Sequence, residues 1–163
     1  MGQRRWPHPR GGPLPSRVRS LRWRVSIAEV STSGAFSALP GIDRVLVLLD
    51  GLVMTLTVAG REHQLVRGAP FVFDGGAATS CRVEQGPTRN VMTRRGRCTA
   101  RVSVLRVGDP MDVVTAAGRV TLVIALTGPH RLDLPHQPTP TQLEALDSVQ
   151  LPATARLLGG QGP

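Results

Sequence analysis

The stretch Arg44-Val45-Leu46-Val47-Leu48-Leu49-Asp50-Gly51-Leu52-Val53-Met54-Thr55-Leu56-Thr57-Val58 decides the fold class. Its first third is an apolar run of strand length, and Asp50-Gly51 is a hairpin signal. Beyond it Met54, Leu56 and Val58 alternate with Thr55 and Thr57, so one strand face is apolar and the other carries hydroxyls. The expectation is a strand, a tight turn and a partner strand from Leu52 to Val58.

The same grammar extends in both directions. Upstream, Trp23, Val25 and Ile27 alternate with Arg24, Ser26 and Ala28, and Ser33-Gly34 and Pro40-Gly41 bracket a short segment containing Phe36. Downstream, Ala59-Gly60 turns the chain. Strands are then expected at His63 to Val66, Pro70 to Asp74, Ser80 to Glu84, Asn90 to Arg94, Arg101 to Val107 and Val120 to Leu126. Strands recurring every 8 to 12 residues or so, with no helical pattern before Thr141, predict an all-β sandwich or barrel. Pro129, Pro135, Pro138 and Pro140 interrupt the last third. There Gln142 to Val149 reads as a helical turn or a strand, and Leu151 to Gly160 trails off. The domain reading is a basic Pro/Gly-rich arm over 1–22, a first barrel over 23–108 and a partial second barrel over 109–163.

The formal net charge is +9, and all 20 basic residues are arginine, as the codon bias of a GC-rich genome produces. Seven of them lie in residues 1–28, which hold no acid, leaving 13 arginines against 11 acids in the body. With aromatics at 3%, platforms for stacking bases are few, so a nucleic-acid partner is disfavoured; the arm is where such contacts would sit. No apolar run reaches the roughly 18 residues a bilayer requires, and no apolar segment follows the N-terminal arginines as in a secretory signal. The expected address is the cytoplasm. Cys81 and Cys98 form no CxxC pair and read as reduced thiols within strands.

Taken together, Trp23-Arg24-Val25-Ser26-Ile27-Ala28, Phe36-Ser37, Pro40-Gly41-Ile42-Asp43-Arg44, Leu49-Asp50-Gly51, Pro70-Phe71-Val72-Phe73 and Asn90-Val91-Met92-Thr93-Arg94-Arg95-Gly96 resemble the HutD/Ves family over residues 23–107. The resemblance implies a bicupin, two cupin-like β-barrels of similar construction, here with a shortened second barrel. It also implies a bacterial protein linked to histidine utilisation in an accessory or regulatory role, with no established reaction; the Ves branch is associated with stress. Three departures stand out. The family's proline-tryptophan and glycine-run segment survives only as Trp6-Pro7 and Gly11-Gly12, and two residues are missing between Arg89 and Asn90. The second barrel stops near Gly160 without a closing strand. An edge left unpaired there calls for a partner, and a homodimer is the expectation.

Metal-dependent cupins gather two or three histidines and a carboxylate. No His-x-His occurs here, so no cofactor is expected, and His130 with His136 is the one pair worth testing. No serine or cysteine stands in a triad pattern, and Gly75-Gly76 reads as a turn rather than a phosphate loop. What remains is a polar set at motif positions: Arg24, Ser26, Asp43, Arg44, Asn90, Met92, Thr93 and Arg94. The guanidinium fork suits carboxylates, so these residues are the candidate ligand-binding set of a non-catalytic small-carboxylate binder. Asn90, Met92 and Arg94 share one strand face and Thr93 the other, so only one set can line a cavity. The competing readings are solvated strand faces with Asp43 paired to an arginine, a metal-dependent cupin enzyme, and a nucleic-acid or partner-binding module using the arm. Trp23, Phe36, Phe71 and Phe73 are expected in the core.

Overall fold

The computed structural model describes residues 22–30, 32–49, 53–83, 86–135, 137–151 and 154–158. They contain strands and turns and no helix. By contacts they separate into two units, 22–104 and 105–158.

In the first unit the strands are β1 (Trp23–Val30), β2 (Gly34–Ala35), β3 (Ile42–Leu48), β4 (Val53–Val58), β5 (Arg61–Val66), β6 (Pro70–Asp74), β7 (Thr79–Val83) and β8 (Gly86–Arg94). They form two antiparallel sheets, in the orders β1-β8-β3-β6 and β2-β7-β4-β5. The apolar alternation explains how the sheets meet. Leu46, Leu48 and Phe73 from the first sheet and Met54, Leu56, Leu65 and Cys81 from the second make one buried cluster, edged by Val30, Phe36, Val58 and Phe71. Each large side chain taken out of water there contributes about 1.5–3 kcal/mol. The middle strand β3 is buried along both faces, which is why its sequence is a continuous apolar run rather than an alternating one.

Asp50 and Gly51, read as a hairpin turn, lie outside the described residues, but the strands on either side of them are not paired with each other. The ladder partners of β3 are β6 and β8, and those of β4 are β5 and β7, so the chain changes sheet between the two strands. The tight hairpin is the next one, where Ala59 and Gly60 both adopt positive φ, as a two-residue turn between right-twisted strands requires. Two other expectations are corrected. Residues 101–107 carry no strand, and Trp23 is 38% exposed on the edge strand rather than in the core.

The second unit has β9 (Met111–Val113), β10 (Thr121–Ile124), β11 (His130–Asp133), β12 (Thr141–Leu143), β13 (Ser148–Leu151) and β14 (Ala155–Leu158). Its sheet runs β12-β11-β14-β9, beside a β10-β13 ladder. Leu132, Leu134, Leu143, Leu151 and Leu157 fill its core with Ala125 and Ala155. The region read as helix or strand resolves into β12, a turn and β13. The segment expected to trail off contains β14, which lies inside its sheet between β11 and β9. The architecture is all-β and cupin-like, a bicupin whose second unit has six described strands against eight in the first.

Candidate functional site

Residues directly opposite one another in an antiparallel ladder face the same side, so the register sorts the polar set. Across the first sheet, Arg24 pairs with Met92, Met92 with Arg44 and Arg44 with Phe73. The adjacent row on the same face is Ser26, Asn90, Leu46 and Phe71. Arg94 takes the inward position opposite Ile42. Because Leu46 and Phe73 belong to the core, this face is the interior one. Six of the eight residues, Arg24, Ser26, Arg44, Asn90, Met92 and Arg94, therefore occupy inward register positions. Asp43 and Thr93 fall in the outward row Trp23, Thr93, Asp43, Asp74.

Arg44 is the centre of the inward group. It is only 5% exposed, an unusual state for arginine, and its guanidinium carbon lies 4.9 Å from the ring centre of Phe36 and 5.1 Å from that of Phe73. Burial lowers its pKa to about 10, so the side chain still carries its charge at neutral pH. Phe36 reaches it from the opposite sheet. The Phe36 amide donates to the carbonyl of Thr79 at 2.8 Å, which places the buried Thr79 at the same end of the sandwich. Gly75 closes on the other flank: a Cβ there would lie 2.8 Å from the Ile42 carbonyl and 3.1 Å from Arg44 Cδ. The aromatic surface continues inward, with Phe71 stacked 5.9 Å from Phe73 and His63 4.8 Å from Phe71. Sequence reasoning did not include Phe36, His63 or Gly75 in the site. Only their juxtaposition across two sheets marks them.

The outward residues do something else. Arg95 donates from Nε and Nη2 to Asp43 Oδ1, at 2.8 and 2.6 Å, and its Nη2 lies 2.9 Å from Asp74 Oδ1. Asp74 Oδ1 also accepts the Gly76 amide at 2.8 Å. One guanidinium thus ties β3, β6 and the end of β8 together, the pairing anticipated for Asp43 as the alternative to a ligand role. These hydrogen bonds hold the Asp74 carboxyl below its ordinary pKa, and the two carboxylates raise that of Arg95. A carboxyl lowered on folding contributes stability above its unfolded pKa and loses it as pH falls through the folded value. We therefore expect denaturation midpoints to decline as pH drops below about 4, and Asp74→Asn to flatten that decline. The group is exposed, so the difference should shrink in molar salt. An unchanged acid limb in the variant would show that the tie contributes nothing.

The remaining candidates lie elsewhere. His130 Nε2 is 3.1 Å from Thr127 Oγ1, while His136 and the arm over residues 1–21 fall outside the described residues. No group of three or more His, Cys, Asp or Glu side chains converges among the described residues. Both cysteines are free thiols: Cys81 is buried in the core, and the half-buried Cys98 donates to the Arg22 carbonyl at 2.9 Å. In the second unit Asp112, Asp133, Thr154 and Arg156 flank an open cleft of about 240 Å³. Its one ion pair, Arg156 with Asp112 at 3.9 Å, is solvent-exposed and weak. No helix among the described residues is long and apolar enough to cross a membrane.

Proteins similar to this chain are known in sequence and in structure. Protein Ves of Citrobacter koseri is 37% identical over 123 residues, covering 73% of this chain and 62% of that protein, so the chain spans less than two thirds of this relative's length. A crystal structure of a conserved protein of unknown function from Pseudomonas aeruginosa PAO1 aligns with a TM-score of 0.75 at 31% identity, covering 86% of this chain and 75% of the other. A structure of HutD from Pseudomonas fluorescens SBW25, in a formate condition, aligns with a TM-score of 0.68 at 29% identity, covering 85% and 74%. Residues 12–161 match the HutD family itself, and with the Ves relationship and these structural likenesses the chain belongs to the HutD/Ves family.

Proposed function

We propose that this chain is a non-catalytic binder of a small carboxylate, acting as an accessory or regulatory factor of histidine breakdown in the cytoplasm. The observation that carries the reading is Arg44, a guanidinium held inside the first barrel between Phe36 and Phe73, with Arg24 and Arg94 on the same face. A buried guanidinium meets a carboxylate through two parallel charge-assisted hydrogen bonds, which are stronger in a dry site than at a surface. Intermediates of histidine breakdown are small carboxylic acids, which matches a site of this chemistry in a HutD/Ves protein.

The test is a thermal-shift screen of the purified chain against histidine, urocanate, formylglutamate, glutamate and divalent metals. A carboxylate at about 100 times its dissociation constant stabilises by about 2.7 kcal/mol, a shift of roughly 5–10 °C for this size. Arg44→Gln, which removes the fork and the charge, should abolish that shift. A shift given by metals alone would overturn the reading in favour of a metal-dependent enzyme.

A further inference from the structure

The cleft of the second unit carries a row of mixed charge above an apolar floor. Asp133 on β11 stands opposite Arg156 on β14, and Arg156 stands opposite Asp112 on β9, so the three share one face of the sheet with the guanidinium in the middle. Leu132, Ala155 and Leu157 have the other parity and belong to the core, so that face is the outer one. The cleft opens where β11 ends and β14 begins. There Leu134 and Ala155, both core residues, join Pro135 and Thr154 in its lining. The charged row is loosely held. Arg156 Nε meets Asp112 at 3.9 Å with both side chains exposed to solvent, and Asp133 enters no ion pair among the described residues.

Either simple class of charged ligand meets a like charge in this row. A monocarboxylate drawn to Arg156 comes up against Asp112 and Asp133, and an amine drawn to either carboxylate comes up against the guanidinium. A molecule with both charges side by side satisfies the row. We propose that the cleft binds a small α-amino acid, its carboxylate on Arg156, its ammonium on Asp133 and a short apolar side chain on Leu134, Pro135 and Ala155. Neighbouring strands lie about 4.8 Å apart, so fork and carboxylate stand at a spacing that two charges on one α-carbon bridge, each with a charge-assisted hydrogen bond. The Arg156 pair with Asp112 that the ligand loosens is exposed and contributes little. At about 240 Å³ the cleft is smaller than the roughly 300–1,000 Å³ of drug-sized sites, which limits the side chain to a few carbons. This site is separate from the Arg44 group, which belongs to the first unit.

The test is a two-dimensional amide NMR titration of the isotope-labelled whole chain, at neutral pH and constant ionic strength, with valine, isovalerate and isobutylamine. The last two are valine without its amino group and valine without its carboxylate. Valine should shift the amides of Asp133, Leu134, Thr154, Ala155 and Arg156, and bind at least about threefold more tightly than either half, as one more exposed charge pair provides. Arg156→Gln should reduce valine to the level of isobutylamine, and Asp133→Asn should reduce it to that of isovalerate. Unmoved amides in the first unit would show that both variants fold. Equal affinity for valine and either half, valine binding unchanged in both variants, or no shift of these amides with any of the three would overturn the assignment. Valine shifts confined to the first unit would also overturn it, and would direct attention to the Arg44 group instead.

Discussion

Replacing Leu56 by alanine should lower the stability of the first unit by about 2–5 kcal/mol, the cost of emptying a leucine-sized volume inside a packed core. Leu56 is fully buried on β4 and belongs to the cluster that Leu46, Leu48 and Phe73 complete from the facing sheet. Its loss therefore weakens the contact between the two layers rather than one strand. The measurement is urea denaturation followed by circular dichroism, with Val72→Ala as the comparison. Val72 is the same kind of side chain on an edge strand but is 66% exposed, and its truncation should stay within about 0.5 kcal/mol. A Leu56→Ala midpoint equal to that of Val72→Ala would mean that the two sheets do not share this core.

Gly75→Ala should affect stability and binding together. The added methyl group would lie 2.8 Å from the Ile42 carbonyl, inside van der Waals contact, and the amide of Gly75 donates to that same carbonyl. Relief requires the start of β3 to move, and overpacking of this kind costs about 1–3 kcal/mol. The same methyl group would stand 3.1 Å from Cγ and Cδ of Arg44, so the displaced stem carries the guanidinium away from Phe36 and Phe73. The expected result is a lower melting temperature and a loss of carboxylate-induced stabilisation well beyond what the Leu56 variant shows at equal destabilisation. Equal ligand shifts in the two variants would remove Gly75 from the positioning of Arg44.

Much of the fold was legible because apolar spacing is local. The alternation at Met54, Leu56 and Val58 and the continuous run from Val45 to Leu48 give the strands and their buried faces directly. Which strands pair is a different question. Asp50-Gly51 has the local chemistry of a hairpin, yet the facing of Leu46 and Leu48 against Met54 and Leu56 needs the chain to change sheet there, and tertiary packing prevails. β14 was missed because Pro152 and the Gly159-Gly160 end signal a turn or an ending, while Ala155 and Leu157 pack inward with only two alternations to announce it. In the site, the parity rule alone separated Arg94 and Met92 from Thr93. The sandwiching of Arg44 was not legible, because Phe36 arrives from the second sheet and Phe73 from a strand some 30 residues away.

The pairing of β1 with β8 has a consequence for how the chain is made. The two strands adjoin along eight residue pairs, but some 55 residues separate the end of one from the start of the other. At a synthesis rate of about 5–20 residues per second, β1 leaves the ribosome several seconds before the strand that will cover its edge exists. Loop closure over that span adds its own delay, since non-local pairings form late. During translation β1 is therefore a waiting strand with open hydrogen-bonding groups. Slowed elongation between residues 30 and 86 would lengthen its exposure to chaperones and to other nascent copies of itself.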